Sequence, residues 1–411
     1  MTFMKSALIT SALVVLGSGS AWACDVSAGS IRILSNDFPA LQAVNSAAAE
    51  CATDGVTVTA NMTTEHRNIQ VPALTANPAE YTVAVVSNSS LVPLLTDGLV
   101  RSLDDLIAAH GDAVSPNQRI VINGETKAIA FQANAQHLYY RADILEELGL
   151  AVPESYEDVL AAAKAIKEAG LMEFPIGGTY KAGWNVAQEF VNMYLGTGGS
   201  FFEPGSAAPA IANANGEAAL EMMKALTEYM NPDYLTYDSN ALQAEFEAGN
   251  VALANFWGSR AGGVTDDEGA APEIAAAIKF AAAPTLGGGD RPASTLWWDG
   301  FTIASNISDE DASASFIAML NGASVDVANA NSDAAVWLID GYSPGEAAAG
   351  VLATAQGGTA PYPMLPYMSL LHTALGTEIV EFLQGGESAA QALADVEASY
   401  SAAAKEAGFL N

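Results

Sequence analysis

The sequence predicts an α/β protein: mostly parallel sheets wound with helices, in a chain long enough for two lobes. Three observations predict it. Short apolar runs alternate with segments of helical periodicity through the first 150 residues. Polar residues follow each run, as Asn36 and Asp37, Glu65, and Asn88 do, and ligands of wound sheets collect at such strand ends. The chain has 411 residues, half of them hydrophobic, which excludes disorder and exceeds one small core.

Residues 1–23 are expected to be a signal peptide and no part of the fold. Lys5 precedes an apolar run over residues 7–16, and Ala21-Trp22-Ala23 has the form of a signal-peptidase site. The run is too short to span a bilayer. Export to the periplasm is the expectation. Ala21 and Trp22 do not fit a lipoprotein signal, which argues against an anchor at Cys24. Cys24 and Cys51 are the two cysteines, and an oxidising compartment favours a disulfide between them. The net charge of −32 becomes −33 once Lys5 is removed (−32 − 1), spread along the chain. Nucleic acid and anionic membranes are thereby excluded as partners.

Residues 30–34 read as a buried strand and residues 40–51 as a helix of small apolar residues. Gly55 turns the chain into an alternating strand over 56–62. Thr63-Thr64-Glu65 opens a helix through Val71 and Leu74, and residues 81–86 form a third strand. Residues 127–134 are a further strand. Gln136 to Arg141 leads into a helix over 142–148, stopped by Gly149. Ser155 and Asp158 have capping-box spacing, ahead of the stripe Val159, Leu160, Ala163 and Ile166. Trp184 starts a helix through Phe190 and Tyr194, and Leu220, Met223, Leu226 and Met230 form another stripe. A strand over 251–256 runs into Trp257-Gly258-Ser259-Arg260. Thr295 to Gly300 enters a strand over 301–304, then a helix over about 309–320. Pro361 to Tyr367 is a rigid link before two Ala-rich helices.

Five stretches in this order carry a family likeness. They are residues 81–106 with Leu-Asp-Asp-Leu, residues 131–150 with Tyr-Tyr-Arg and a helix ending Gly-Leu, residues 153–163, residues 246–258 with Phe-x-x-Gly-x-x-Ala, and residues 298–303. Across the mature chain the sequence resembles the carbohydrate-type extracellular solute-binding proteins of ABC importers, the maltose-binding-protein-like group. The resemblance implies a periplasmic binding protein fold with two α/β lobes and a ligand cleft between them. The lobe assignment it implies is residues 24–133 and 297–342 for the first lobe, and 134–296 with 343–411 for the second. Crossings are expected near 131–136, at 295–300 and between 342 and 367. The resemblance implies a monomer that captures a mono- or oligosaccharide and delivers it to a membrane permease, with no catalytic group, cofactor or metal.

Sugar recognition needs aromatic faces for pyranose C–H groups and planar polar groups for hydroxyls. Candidates sit where strands end. Asp37 and Glu65 are read as ligands or helix caps, and Asn88 as a ligand or turn former. Asn134 lies on the first crossing, as a ligand or a backbone-bonding residue. Trp184, Trp257 and Arg260 are aromatic and polar candidates, with core packing as the other reading of the tryptophans. Trp297, Trp298 and Asp299 lie on the second crossing. Adjacent strand residues point to opposite faces, so one of the two tryptophans is expected to face the cleft. Arg260 is the one basic candidate, which sets anionic ligands last. Polyols fit the same site, as do cations such as a polyamine or betaine, which aromatic boxes with carboxylates also bind. An exported glycosidase would need two placed carboxylates. The four histidines lack zinc spacing.

Overall fold

The structure is a computed structural model and describes residue 24, residues 26–266 and residues 269–411. The leader expected at residues 1–23 lies outside the described residues. Among the described residues, eleven strands form two sheets flanked by helices.

β1 (Gly29–Ser35), β2 (Val56–Met62) and β3 (Val83–Ser87) form the parallel part of the first sheet. β3 reads Val-Ala-Val-Val-Ser and is buried throughout, the pattern of a strand covered on both faces. β4 (Arg119–Ile122) and β5 (Glu125–Asn134) pair antiparallel across Asn123-Gly124, whose φ values of 53° and 84° suit a tight hairpin turn. Past Ala135 the chain enters β6 (Gln136–Arg141) in a second sheet. That sheet has β7 (Ile176–Gly177), β8 (Leu253–Trp257) and β9 (Ile278–Ala281) in the order β7-β8-β6-β9. β10 (Trp297–Ile303) returns to the first sheet between β3 and β5, and β11 (Val336–Trp337) joins β5.

The sheets are mixed. Among the described residues, parallel pairing between strands is confined to β1–β2, β1–β3 and β7–β8. β5, β6 and β10 meet their neighbours antiparallel. Within β10 the pairing with β5 shifts register between Asp299 and Gly300. A Cβ at residue 300 would collide with the Ile129 carbonyl, so only glycine lets the strands approach there.

Ile31, Ile33, Phe131, Phe301 and Phe316 centre the core on one face of the first sheet, with Leu74, Val86, Leu91 and Leu94 on the other. Tyr139, Phe190, Phe246 and Phe256 centre the larger core of the second sheet. The helices Met368–Leu383 and Ala389–Glu406 pack into it through Leu375 and Leu393. The capping box forms as its spacing implies: Asp158 N donates to Ser155 Oγ and Ser155 N to Asp158 Oδ2, both at 3.1 Å. Gly149 ends its helix with φ 64°. Ala135, Val336, Ala348 and Val351 form a small cluster where the chain passes between the sheets, with Leu296 packed on it and bridged to Pro361. Cys24 and Cys51 are disulfide-bonded with Cα atoms 5.3 Å apart. Among the described residues no helix is long and apolar enough to cross a membrane.

Candidate functional site

A cleft of about 360 Å³ opens between the two sheets. The first side is built by strand ends. Asn36 follows β1, Ser87 ends β3, and Glu65, His66 and Arg67 stand where the chain leaves β2 and begins the helix His66–Thr75. The second side is built by two helix starts and a strand end. Lys181, Trp184 and Asn185 stand at the start of the helix Trp184–Gly196, and Asp238 to Asn240 at the start of the helix Ser239–Glu247. Trp257, Ser259 and Arg260 follow β8. Asn134, Trp297 and Asp299 lie on the strands that cross between the sheets.

Three tryptophans form one wall. Trp184 stacks on Trp257 with ring centroids 6.3 Å apart, and Trp297 meets both edge-on at 5.8 and 5.9 Å. Tyr362 and His372 back them: Tyr362 lies 4.3 Å from Trp297, and His372 lies 5.0 Å from Trp184. The Trp297 indole N–H donates to Thr295 Oγ1 at 2.7 Å. Thr295 in turn donates to Asn192 Oδ1, which also accepts from Gln188. This buried chain continues through Gln136 to Glu189 and sets the tryptophan ring. Burial pushes the Glu189 carboxyl up to about 7, against hydrogen bonds from Thr179 and Gln136.

The Arg67 guanidinium lies over Trp184, 4.2 Å from the ring centroid. Its Nε is shielded from solvent and has no hydrogen-bond partner among the described residues. Burial lowers its pKa, opposed by the charge of Asp299. Burial likewise holds the Asp299 carboxyl up at about 6, opposed by Gln132 Nε2 donating at 2.8 Å and by Arg67. Burial lowers Arg260 as well, and its Nη1 donates to Gln243 Oε1 at 3.2 Å. At the rim Lys181 pairs with Asp238 at 3.1 Å. His66 is buried and its pKa falls to about 3, so it faces the cleft neutral.

Of the ten residues read as ligands from the sequence, Glu65, Asn134, Trp184, Trp257, Arg260, Trp297 and Asp299 line the cleft. Asp37, Asn88 and Trp298 do not. Asp37 accepts from Gln42 Nε2 at 2.9 Å, and its neighbour Asn36 lines the cleft instead. Asn88 fastens β10 to the first sheet: its Oδ1 accepts from Trp298 N at 2.8 Å and its Nδ2 donates to Leu296 O. Trp298, alternating with Trp297, turns away from the cleft to pack on the Leu74–Leu91–Leu94 cluster. Asn134 lines the cleft but its amide is engaged, with Oδ1 accepting from Ala135 N and Ser259 N and Nδ2 donating to Ser259 Oγ. Glu65 does not cap its helix; its Oε2 accepts from Asn68 Nδ2.

The expectation of a single basic residue is corrected: Arg67 and Lys181 enter the cleft beside Arg260. Arg67 was missed because it sits two residues past Glu65, inside a helix whose start alone was read. Its position in the first turn after a strand end is the signal that marks it. Among the described residues no cluster of three or more His, Cys, Asp or Glu suits a metal.

Comparison with known proteins places the chain. No curated protein matches by sequence. An ABC-transporter solute-binding protein of Agrobacterium radiobacter in complex with ribitol superposes with a TM-score of 0.78 at 19% identity, covering 91% of this chain and 99% of that one. One from Agrobacterium vitis with bound D-mannitol gives 0.78 at 19% identity over 93% and 100%. The maltose-bound MalE3 of T. maritima gives 0.76 at 18% identity over 91% and 99%. At these identities the likeness establishes the two-lobe fold. Residues 44–327 match the family model directly, and the chain belongs to the bacterial extracellular solute-binding protein family.

Proposed function

We propose that this protein captures a sugar or polyol in the cleft between its lobes and hands it to an ABC permease, without chemical turnover. The lobes are residues 24–133 with 297–342, and residues 134–296 with 343–411. They close on the solute by a hinge at the crossing strands. The observation that carries the reading is the tryptophan wall of Trp184, Trp257 and Trp297 facing polar side chains of the opposite lobe across one cleft. Flat aromatic faces suit the C–H side of a polyhydroxylated solute, and the amides, hydroxyls and charged groups suit its hydroxyls. The ribitol, mannitol and maltose bound by structural neighbours are consistent with that class.

A polyamine or betaine fits less well. Arg67 already lies on the Trp184 face, and Arg260 adds a second guanidinium to the same cleft. Glycoside cleavage is also disfavoured. Of the two carboxyls with strongly raised pKa values, Asp299 is in the cleft and Glu189 is buried beneath the lobe surface in the Gln136 network. Thermal-shift screening against sugars, polyols, polyamines and betaines tests the proposal. A true ligand at a hundredfold excess over Kd stabilises by about 2.7 kcal/mol. A rise with sugars or polyols supports it. A rise with polyamines or betaine alone, or cleavage of a glycoside, refutes it.

A further inference from the structure

The cleft holds two guanidiniums that have no ion pair among the described residues. Arg67 is the more telling. Its Nε is buried and has no hydrogen-bond partner among the described residues. The guanidinium carbon lies over the Trp184 ring, whose indole has no lone-pair acceptor to offer the N–H groups. Carboxylates nearby do not satisfy it. Asp299 acts on it through its charge but forms no ion pair or hydrogen bond with it, its Oδ2 accepting from Gln132 Nε2 instead. Around Arg260, Asp238 is taken by Lys181 and Glu247 by Gln243 Nε2 at 2.7 Å.

A guanidinium whose Nε is shut from water without an acceptor is costly, and a site that keeps one is shaped for a ligand that supplies the acceptor and an opposite charge. A neutral hydroxyl accepts one hydrogen bond and brings no charge. A carboxylate accepts two parallel N–H bonds from the fork and pairs with its charge. The acids in the same cleft, Glu65, Asp238 and Asp299, oppose a doubly charged phosphate more than a singly charged carboxylate. We propose that the solute is an acidic carbohydrate, an aldonate or a uronide, whose carboxylate is received by Arg67 while its ring or chain lies along the tryptophan wall. This inference rests on the sugar-or-polyol reading above and narrows it.

The test is calorimetric titration of the purified protein at pH 7.5 with a panel of uronates, aldonates and short oligouronides. Each acid is paired with its neutral parent sugar and its alditol, and hexose 6-phosphates are included. The expected result is an acid that binds roughly 100-fold more tightly than its neutral parent, the scale of a desolvated charge-assisted pair. Arg67→Gln should bring that ratio to within about threefold of unity, and Arg67→Lys should restore part of it. Arg67→Gln should keep a single cooperative unfolding transition, so a lost ratio is not misfolding. A neutral parent that binds as tightly as its acid overturns this inference and leaves the sugar-or-polyol reading standing. A hexose phosphate that outbinds every carboxylate overturns it in favour of phosphate. Absence of any carbohydrate binder overturns both.

Discussion

The guanidinium of Arg67 lies 4.2 Å over the ring of Trp184, and the two residues come from opposite sides of the interlobe cleft. One contact thus joins the helix that follows β2 to the helix that follows Lys181. Such a pair contributes about 0.5–2 kcal/mol, depending on desolvation. It sets the guanidinium beside the aromatic wall of the cleft.

Trp184→Ala should therefore weaken solute binding by roughly 10- to 100-fold, from lost stacking and a less ordered Arg67. The fold should persist, because Trp184 is only partly buried and its backbone carbonyl keeps its hydrogen bond with His372 Nε2. Titration calorimetry with the best ligand checks this. Unchanged affinity would remove the pair from the site.

Trp297 and Trp298 should differ in their effect on binding. Trp297→Ala removes a cleft wall and a core ring, and should cost about tenfold or more in affinity together with stability. Trp298→Ala empties a contact in the first-lobe cluster and should cost roughly 2–3 kcal/mol of stability with affinity little changed. Urea unfolding beside ligand titration of both variants checks the split. The reverse pattern would mean the alternation of β10 has been assigned to the wrong faces.

Glu189 gives a stability effect with a defined sign. Its pKa is raised by burial from 4.5 to about 7, so the folded state holds this proton more tightly than the unfolded chain. The stability it contributes is complete below pH 4.5 and is lost as pH rises through 7, up to roughly 3 kcal/mol. Glu189→Gln, which keeps the shape of the protonated group, should match the wild type near pH 4.5 and exceed it at pH 8. His66, His137 and His372, buried neutral, act in the opposite direction but equally in both proteins. A difference in Tm that does not grow with pH contradicts the assignment.

The Cys24–Cys51 bridge closes a separation of 27 residues. Loop entropy assigns such a bridge about 3–4 kcal/mol. Cys51→Ala, or reduction with a thiol, should lower the unfolding midpoint accordingly while leaving ligand affinity intact, since neither cysteine lines the cleft. A loss of affinity at unchanged stability would contradict this separation.

Much of this architecture is legible in the sequence for physical reasons. β3 shows as an unbroken apolar run because both its faces are covered, and the helix Tyr156–Glu168 announces itself through Ser155 and Asp158. Strand ends point to the cleft, yet side chains there serve two purposes with the same chemistry. Asn88 and Asn134 spend their amides on backbone groups of the crossing strands, which one-dimensional spacing cannot distinguish from ligand binding. Arg67 escapes because a helix start is read from its cap, whereas the side chain that matters lies two residues in. The antiparallel β10 was equally hidden: a strand's apolar pattern records burial, not the direction of its neighbour.

The central claim is that the tryptophan-walled cleft is where this protein holds its solute. Calorimetric titration of the best thermal-shift ligand into the wild type and into the Trp184→Ala/Trp297→Ala double variant tests it most directly. The account predicts one site per chain in the wild type, at least 100-fold weaker binding in the double variant, and a solute recovered unchanged. Wild-type affinity retained in the double variant would contradict it.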